Sequence, residues 1–256
     1  MDEFSILESP IFKAAVFEAS LVSQAMCGWY GKLPMLGDFI CKDLPDDFVK
    51  PWDQWLQEGM LEGRENLGQD WEEHYLTFPM WRFLWRGSAN PGQYWAGLLM
   101  PSLDRVGRLF PFTIAACLGD SKQSLPRLQL IDQYLDQCQG LAQKLLEDDA
   151  LEEFGAALLQ LPGLLSAPTG EPALDIEQAP EQRLYNLEQE HGAIFMSSVG
   201  TLEATLASLA LQELFSRGPT PCLWWQAPNA QQNGIVRASG AGLTPALFLD
   251  LVHGGA

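Results

Sequence analysis

Two strand-like segments joined by a short link constrain the fold of this chain more than any other feature. The first reads YWAGLLMPS from Tyr94, and the second reads FPFTIAACL from Phe110, with apolar residues at alternate positions. Such alternation predicts a β-strand that is buried on one face. Because the link LDRVGRL is short, the two strands are expected to pair as a hairpin.

Helical periodicity is found on both sides of this hairpin. Apolar residues at helical spacing predict helices over about 46–66 and 126–147, the second of them continued by LEEFGAALLQL. Further helices are expected over about 10–25, 69–78, 201–216 and 244–252, and further strands at CGWY, FIC, AIFMSSV, CLWWQA and GIVRAS. This alternation of strands and helices predicts an α/β fold, a three-layer α-β-α sandwich with a central mixed sheet.

The domain organisation follows from the same pattern. Residues 27–256 are expected to form one α/β domain, and residues 1–26 an N-terminal extension. A stretch with four prolines and two glycines predicts a surface loop over about 162–180.

Charge and hydropathy exclude several classes of function. The net charge is −18, which argues against nucleic acid or an anionic membrane as the partner. No apolar run reaches the roughly 18 residues of a membrane helix. The N-terminus is acidic where a signal peptide would be basic. The number of cysteines is odd, and no pair of them has the spacing of metal ligands. We therefore expect a cytoplasmic protein with reduced, buried thiols and no membrane insertion.

The stretch GKLPMLGDFICKDLPDDFVKPW, from Gly31 to Trp52, is rich in glycine, proline and aspartate. It is not a phosphate-binding loop, because Leu33 and Pro34 stand where a hydroxyl and a donor N–H would be needed. We interpret it as a rigid surface turn in which Asp38 accepts backbone hydrogen bonds. It leads into a helix whose start is capped by Asp46 and Asp47. The aspartates supply too few oxygen ligands for a divalent metal, so no metal or cofactor is expected.

A second charged turn lies in MPSLDRVGRLFP, where Asp104 stands beside Arg105 and Arg108. One interpretation is a hairpin turn braced internally by a pair between Arg105 and Asp104. The other is a patch that offers two guanidinium groups to a carboxylate or phosphate on a partner. The sequence leaves both open.

Catalysis has little support. There are three histidines, no G-x-S-x-G motif and no recognisable pair of nucleophile and base. We expect a protein that is not an enzyme. The alternative is a hydrolase of unknown substrate that uses Asp38 with Arg105 or Arg108.

Several long motifs follow one another in order along the chain. These motifs are GWYGKLPMLGDFI, LPDDFVKPWDQWLQ, PMWRF, WAGLLMPSLDRVGRLFPFTIAA and CLWWQ. In these motifs the chain resembles the TagF (ImpM) family of type VI secretion system accessory proteins. The resemblance is strongest over about residues 28–118. The matching residues are Gly28, Trp29, Gly31, Lys32, Pro34, Gly37, Asp38, Phe39, Pro51, Trp52, Pro101, Ser102, Asp104, Arg105, Gly107, Arg108 and Pro111. The chain departs from the family in its leader before Cys27 and in Met35-Leu36, which replaces a more polar pair.

The resemblance implies an α/β sandwich and a regulator without enzymatic activity of its own. Family members repress type VI assembly or firing after translation, together with a forkhead-associated-domain scaffold protein. A structural accessory subunit of the secretion machine is a further alternative, and the oligomeric state is not indicated. We hypothesise that the two charged turns lie together and form a docking surface for the scaffold, with these partner-binding residues: Lys32, Asp38, Asp104, Arg105 and Arg108.

Overall fold

The computed structural model describes residues 26–87, 93–120, 128–148, 150–161, 193–197, 222–226 and 235–254. The predicted helices over about 10–25 and 201–216 and the predicted loop over about 162–180 lie outside the described residues, as does the extension before Met26.

The described strands form one eight-stranded sheet. They are β1 (Cys27–Gly31), β2 (Ile40–Lys42), β3 (Trp81–Arg86), β4 (Gln93–Met100), β5 (Phe112–Asp120), β6 (Ala193–Ser197), β7 (Cys222–Trp225) and β8 (Ile235–Ser239). Their order across the sheet is β2-β1-β5-β4-β3-β7-β8-β6. The predicted hairpin is confirmed, because β4 pairs antiparallel with β5 from Met100–Phe112 to Gln93–Asp120.

The sheet differs from the predicted mixed sheet in strand direction, because all of its described pairs are antiparallel. Short links join β1 to β2, β3 to β4 and β4 to β5. A short link permits only antiparallel neighbours, whereas a parallel pair needs a crossover of a dozen residues or more.

Helices cover both faces of the sheet, so the predicted three-layer α/β sandwich is confirmed. The helices are α1 (Asp46–Leu67), α2 (Trp71–Thr77), α3 (Leu128–Asp148), α4 (Leu151–Gln160) and α5 (Pro245–Val252), with a 3-10 turn at Gly68–Asp70. Buried residues of α1, α2 and α5 pack with one face of the sheet. Those of α3 and α4 pack with the other face. In the part of the chain that the structure describes, none of the helices combines the length and apolar character needed to cross a membrane.

Tryptophan anchors α1 to the sheet. Trp52 is fully buried, and its ring centroid lies 4.5 Å from that of Phe83 and 5.8 Å from that of Trp224. Its indole Nε1 donates to Thr113 Oγ1 at 2.9 Å. A buried indole is most stabilising when its N–H has a partner, and β5 supplies that partner here.

The start of α1 differs from the prediction. The N-cap residue is Pro45, and no side chain makes a capping hydrogen bond there. Asp46 instead pairs with Lys50 at 2.8 Å on the helix surface. Asp46 and Asp47 lie in the first turn, where a carboxylate still complements the helix dipole. Pro51 lies inside the helix.

The strand β3 was not predicted from the sequence, although it lies between β4 and β7 in the sheet. Trp81, Phe83 and Trp85 point to the α1 face, and Leu84 to the α3 face. Arg82 is buried and pairs with Asp132 at 2.5 Å and with Asp136, both on α3. This charged contact ties α3 to the sheet.

The five cysteines are free thiols. Cys27, Cys117, Cys138 and Cys222 are buried, as the sequence predicted. Cys41 is exposed, contrary to that prediction, because β2 is the edge strand of the sheet.

Candidate functional site

Two turns leave the sheet at the same end. Gly31, the last residue of β1, and Met100, the last residue of β4, both pair with Phe112 at the start of β5. The segment after β1 and the segment between β4 and β5 therefore start side by side. Gly31 has φ 133°, and a Cβ there would lie 2.1 Å from the Pro111 carbonyl oxygen, so this close approach requires glycine.

Hydrogen bonds join the two turns directly. The Arg105 N–H donates to the Leu36 carbonyl at 2.8 Å. The Ser102 hydroxyl donates to the Lys32 carbonyl at 2.7 Å. Tyr75 of α2 supports this contact from below, since its hydroxyl donates to the Ser102 carbonyl at 2.9 Å. The predicted juxtaposition of the two turns is confirmed.

The buried carboxylate of Asp104 organises the second turn. It accepts hydrogen bonds from the backbone N–H groups of Val106 at 3.1 Å and Arg108 at 2.9 Å. Lys32 Nζ lies 3.0 Å from its Oδ2, and Arg108 Nε lies 2.6 Å from the same oxygen. Burial acts to raise the pKa of Asp104, but these four interactions outweigh it and hold that pKa well below its usual range.

This geometry corrects two of the predicted partner contacts. Lys32 and Asp104 are almost completely buried, so their side chains lie beneath the surface and cannot meet a partner directly. The predicted Arg–Asp brace exists, but its arginine is Arg108 rather than Arg105. Arg108 also donates from Nη2 to the Gly37 carbonyl at 2.8 Å and so ties the second turn to the first.

The surface above this cluster is both basic and apolar. Arg105, Asp38 and Gly37 are exposed, and the Arg108 side chain is 59% exposed. Val106 is 69% exposed and Phe39 45% exposed. We call Gly37, Asp38, Phe39, Arg105, Val106 and Arg108 the two-turn surface. The sequence analysis did not identify Phe39 and Val106 as candidate functional residues. The position of apolar Val106 between the arginines of a charged turn could have indicated it.

Phe39 connects the surface to the buried cluster. Its ring centroid lies 4.9 Å from Lys32 Nζ and 4.7 Å from the ring of Phe110. Its N–H donates to the Asp38 carboxylate at 2.8 Å, the role in the turn that the sequence predicted for that aspartate. Phe39 is therefore partly fixed from below, while nearly half of its surface remains exposed.

Several of the residues that match the family motifs lie around this site. Gly107 has φ 85° in the second turn, where its N–H donates to the Asp104 carbonyl at 2.9 Å. A Cβ on Gly28 would lie 2.1 Å from the Lys42 carbonyl oxygen of β2. Pro34 and Pro101 are half-buried, and Pro111 is buried beside Gly31.

Two of the three histidines lie near each other in the structure. His74 and His253 have ring centroids 5.7 Å apart at the ends of α2 and α5, and His191 lies outside the described residues. Over the described ranges, no group of three or more His, Cys, Asp or Glu side chains is placed to hold a metal ion. What the two-turn surface offers chemically is a guanidinium group beside exposed apolar area.

Comparison with known proteins agrees with the sequence motifs. Residues 28–161 match the model of the TagF N-terminal domain, described as type VI secretion system-associated. The chain is also similar to the crystal structure of PA0076 from Pseudomonas aeruginosa PAO1, with 36% sequence identity and a TM-score of 0.62. That match covers 90% of this chain and 95% of the other. No curated protein matches the chain.

Proposed function

The chain belongs to the TagF family of type VI secretion system-associated proteins, and we propose that it regulates this system by binding one of its components, without catalysis. The proposed role is a cytoplasmic, post-translational repressor of assembly or firing. The proposed partner is a forkhead-associated-domain scaffold protein.

The observation that carries this proposal is the construction of the two-turn surface. The four interactions of Asp104 and the bonds from Arg105 to Leu36 and from Arg108 to Gly37 fix the backbone beneath it. A surface that is ordered before binding loses little conformational entropy when a partner docks. Arginine is also one of the residues that carry most binding energy at protein interfaces, and apolar area around it helps to exclude water.

The rival function, hydrolysis by Asp38 with Arg105 or Arg108, has weaker support. Asp38 is exposed and accepts a hydrogen bond from the N–H of its own neighbour, Phe39. An exposed carboxylate that holds its own turn in this way is poorly placed to act as a catalytic base. We expect no hydrolysis of phosphoesters, esters or peptides, with or without magnesium. Turnover that disappears in Asp38→Asn would favour the hydrolase.

The regulatory role is tested in two steps. First, the purified full chain is expected to retain the purified scaffold protein in a pull-down. Second, removal of the chain from the producing bacterium should raise type VI secretion, and its overproduction should lower secretion while the amounts of the secretion components stay constant. Loss of secretion on removal would instead indicate a structural subunit, and unchanged secretion in both strains would contradict a regulatory role.

A further inference from the structure

We propose that the two-turn surface binds a partner segment that carries a carboxylate next to an apolar side chain, with Arg105 pairing with the carboxylate and Val106 and Phe39 covering the apolar group. This inference rests on the proposed function, because it describes how the scaffold protein would be recognised.

Arg105 and Arg108 differ in what their guanidinium groups already bind. Arg108 uses Nε for Asp104 and Nη2 for Gly37, so most of its hydrogen-bonding capacity is occupied within the protein. Arg105 contributes its backbone N–H to Leu36, and its Nη2 lies 3.2 Å from the position that a Cβ on Gly37 would occupy. Its side chain makes no ion pair with any described residue. Arg105 is therefore the guanidinium that remains available to a partner.

Charge complementarity identifies the partner group as an anion. Two other exposed cations of the described chain are already paired, Lys50 with Asp46 at 2.8 Å and Lys42 with Asp43 at 3.7 Å. Arg105 is an exposed cation, unpaired among the described residues, in a chain of net charge −18. An arginine fork pairs with a planar carboxylate through two parallel hydrogen bonds, which gives direction as well as attraction.

The apolar half of the surface adds the second requirement. Val106 follows Arg105 directly and is the most exposed of the large apolar side chains that the structure describes. Phe39 and the second turn both contact Lys32, Phe39 through its ring and the turn through Asp104. A partner residue that contacts Val106 and Phe39 removes apolar area from water within reach of the Arg105 guanidinium, and the exclusion of water strengthens the ion pair.

The test compares four variants of the full chain in binding to the purified scaffold protein by calorimetry, together with their melting temperatures. Arg105→Glu and Val106→Ser remove the two recognition groups. Lys50→Glu is the matched charge reversal at an exposed helix position away from the two turns. Lys50 lies near Phe48, and Phe48 packs on Trp85 and Trp95, which are at the end of β3 and β4 opposite the two turns. Arg108→Gln removes the brace and reports what a structural defect in the turn does to binding.

We expect Arg105→Glu to weaken binding by about 30-fold or more, Val106→Ser by about 5-fold to 10-fold, and Lys50→Glu by less than 2-fold. Arg105→Glu and Val106→Ser should melt within a few degrees of the wild type, whereas Arg108→Gln should melt at a lower temperature. Raising the salt concentration from about 0.05 M to 0.5 M should weaken binding by the wild type more than binding by an additional Arg105→Gln variant. The reason is that salt screens the exposed ion pair between Arg105 and the carboxylate of the partner.

Normal binding by a folded Arg105→Glu variant would overturn this inference and leave the proposed function standing. Equal losses for Arg105→Glu and Lys50→Glu would also overturn it, because the effect would then reflect net charge alone. Failure of the wild type to bind the scaffold would overturn the proposed function and this inference together.

Discussion

The contact between α1 and α5 makes a prediction that opposes helix propensity. Gly59 lies in the middle of α1, where glycine is less favourable than alanine by about 1 kcal/mol. A Cβ at this position would lie 2.5 Å from both Cβ and Cγ of Phe248 on α5. Phe248 is fully buried, and its ring packs against Trp55 at 5.7 Å and Phe78 at 6.3 Å, so it cannot move aside.

Gly59→Ala is therefore expected to destabilise the protein. Forcing an extra methyl group into a packed contact costs about 1–3 kcal/mol, and the propensity gain of about 1 kcal/mol offsets only part of this. We expect a net loss of up to about 2 kcal/mol, and a domain of this size loses about 2–4 °C in Tm for each kcal/mol.

Gly140 in α3 provides the matched control, since nothing lies within 4 Å of the position that a Cβ would occupy there. Gly140→Ala should raise stability by about 0.5–1 kcal/mol, because only the propensity changes. Both variants are measured by urea and thermal denaturation, followed by circular dichroism and tryptophan fluorescence. A Gly59→Ala variant as stable as Gly140→Ala would refute the close packing of α1 on α5.

Three further predictions concern titration, thiol chemistry and the N-terminus. Because hydrogen bonds depress the pKa of Asp104, the stability that its carboxylate contributes should be complete above about pH 5 and decline below about pH 4. The difference in unfolding free energy between wild type and Asp104→Asn should therefore shrink as the pH falls below about 4, and a constant difference would contradict the depressed pKa. Burial raises the pKa of Cys27 to about 11, so a thiol reagent at pH 7.5 should label exposed Cys41 first and Cys27 only on unfolding. Cys41→Ser should abolish the fast phase of labelling, and a fast phase that persists in this variant would count against this order of reactivity. Deleting residues 1 to about 24 should leave the Tm nearly unchanged, because the family match begins at residue 28, and a large drop would show that the extension stabilises the domain.

The sequence predicted much of the fold, but not the interactions of charged residues within it. The β4–β5 hairpin and the apolar stripe of α3 follow from periods of two and 3.6 residues, which are local properties of the chain. The strand β3 was missed because WRFLWR places Arg82 on a buried face, and that position is tolerable only because Asp132 and Asp136 arrive from α3. A buried cation with partners about fifty residues away has no signature in its own segment.

For the candidate site, too, some features were predictable from the sequence and others depended on the tertiary structure. The sequence by itself identified both charged turns, the role of Asp38 in its turn and the two arginines. The tertiary structure decided that Lys32 and Asp104 are buried and that Arg108 rather than Arg105 forms the brace. It also decided that Phe39 and Val106 are exposed on the two turns, which the hydrogen bond from Arg105 to Leu36 joins. Turn composition is encoded locally, whereas burial and pairing depend on strand order and register, which bring residues about seventy positions apart into contact.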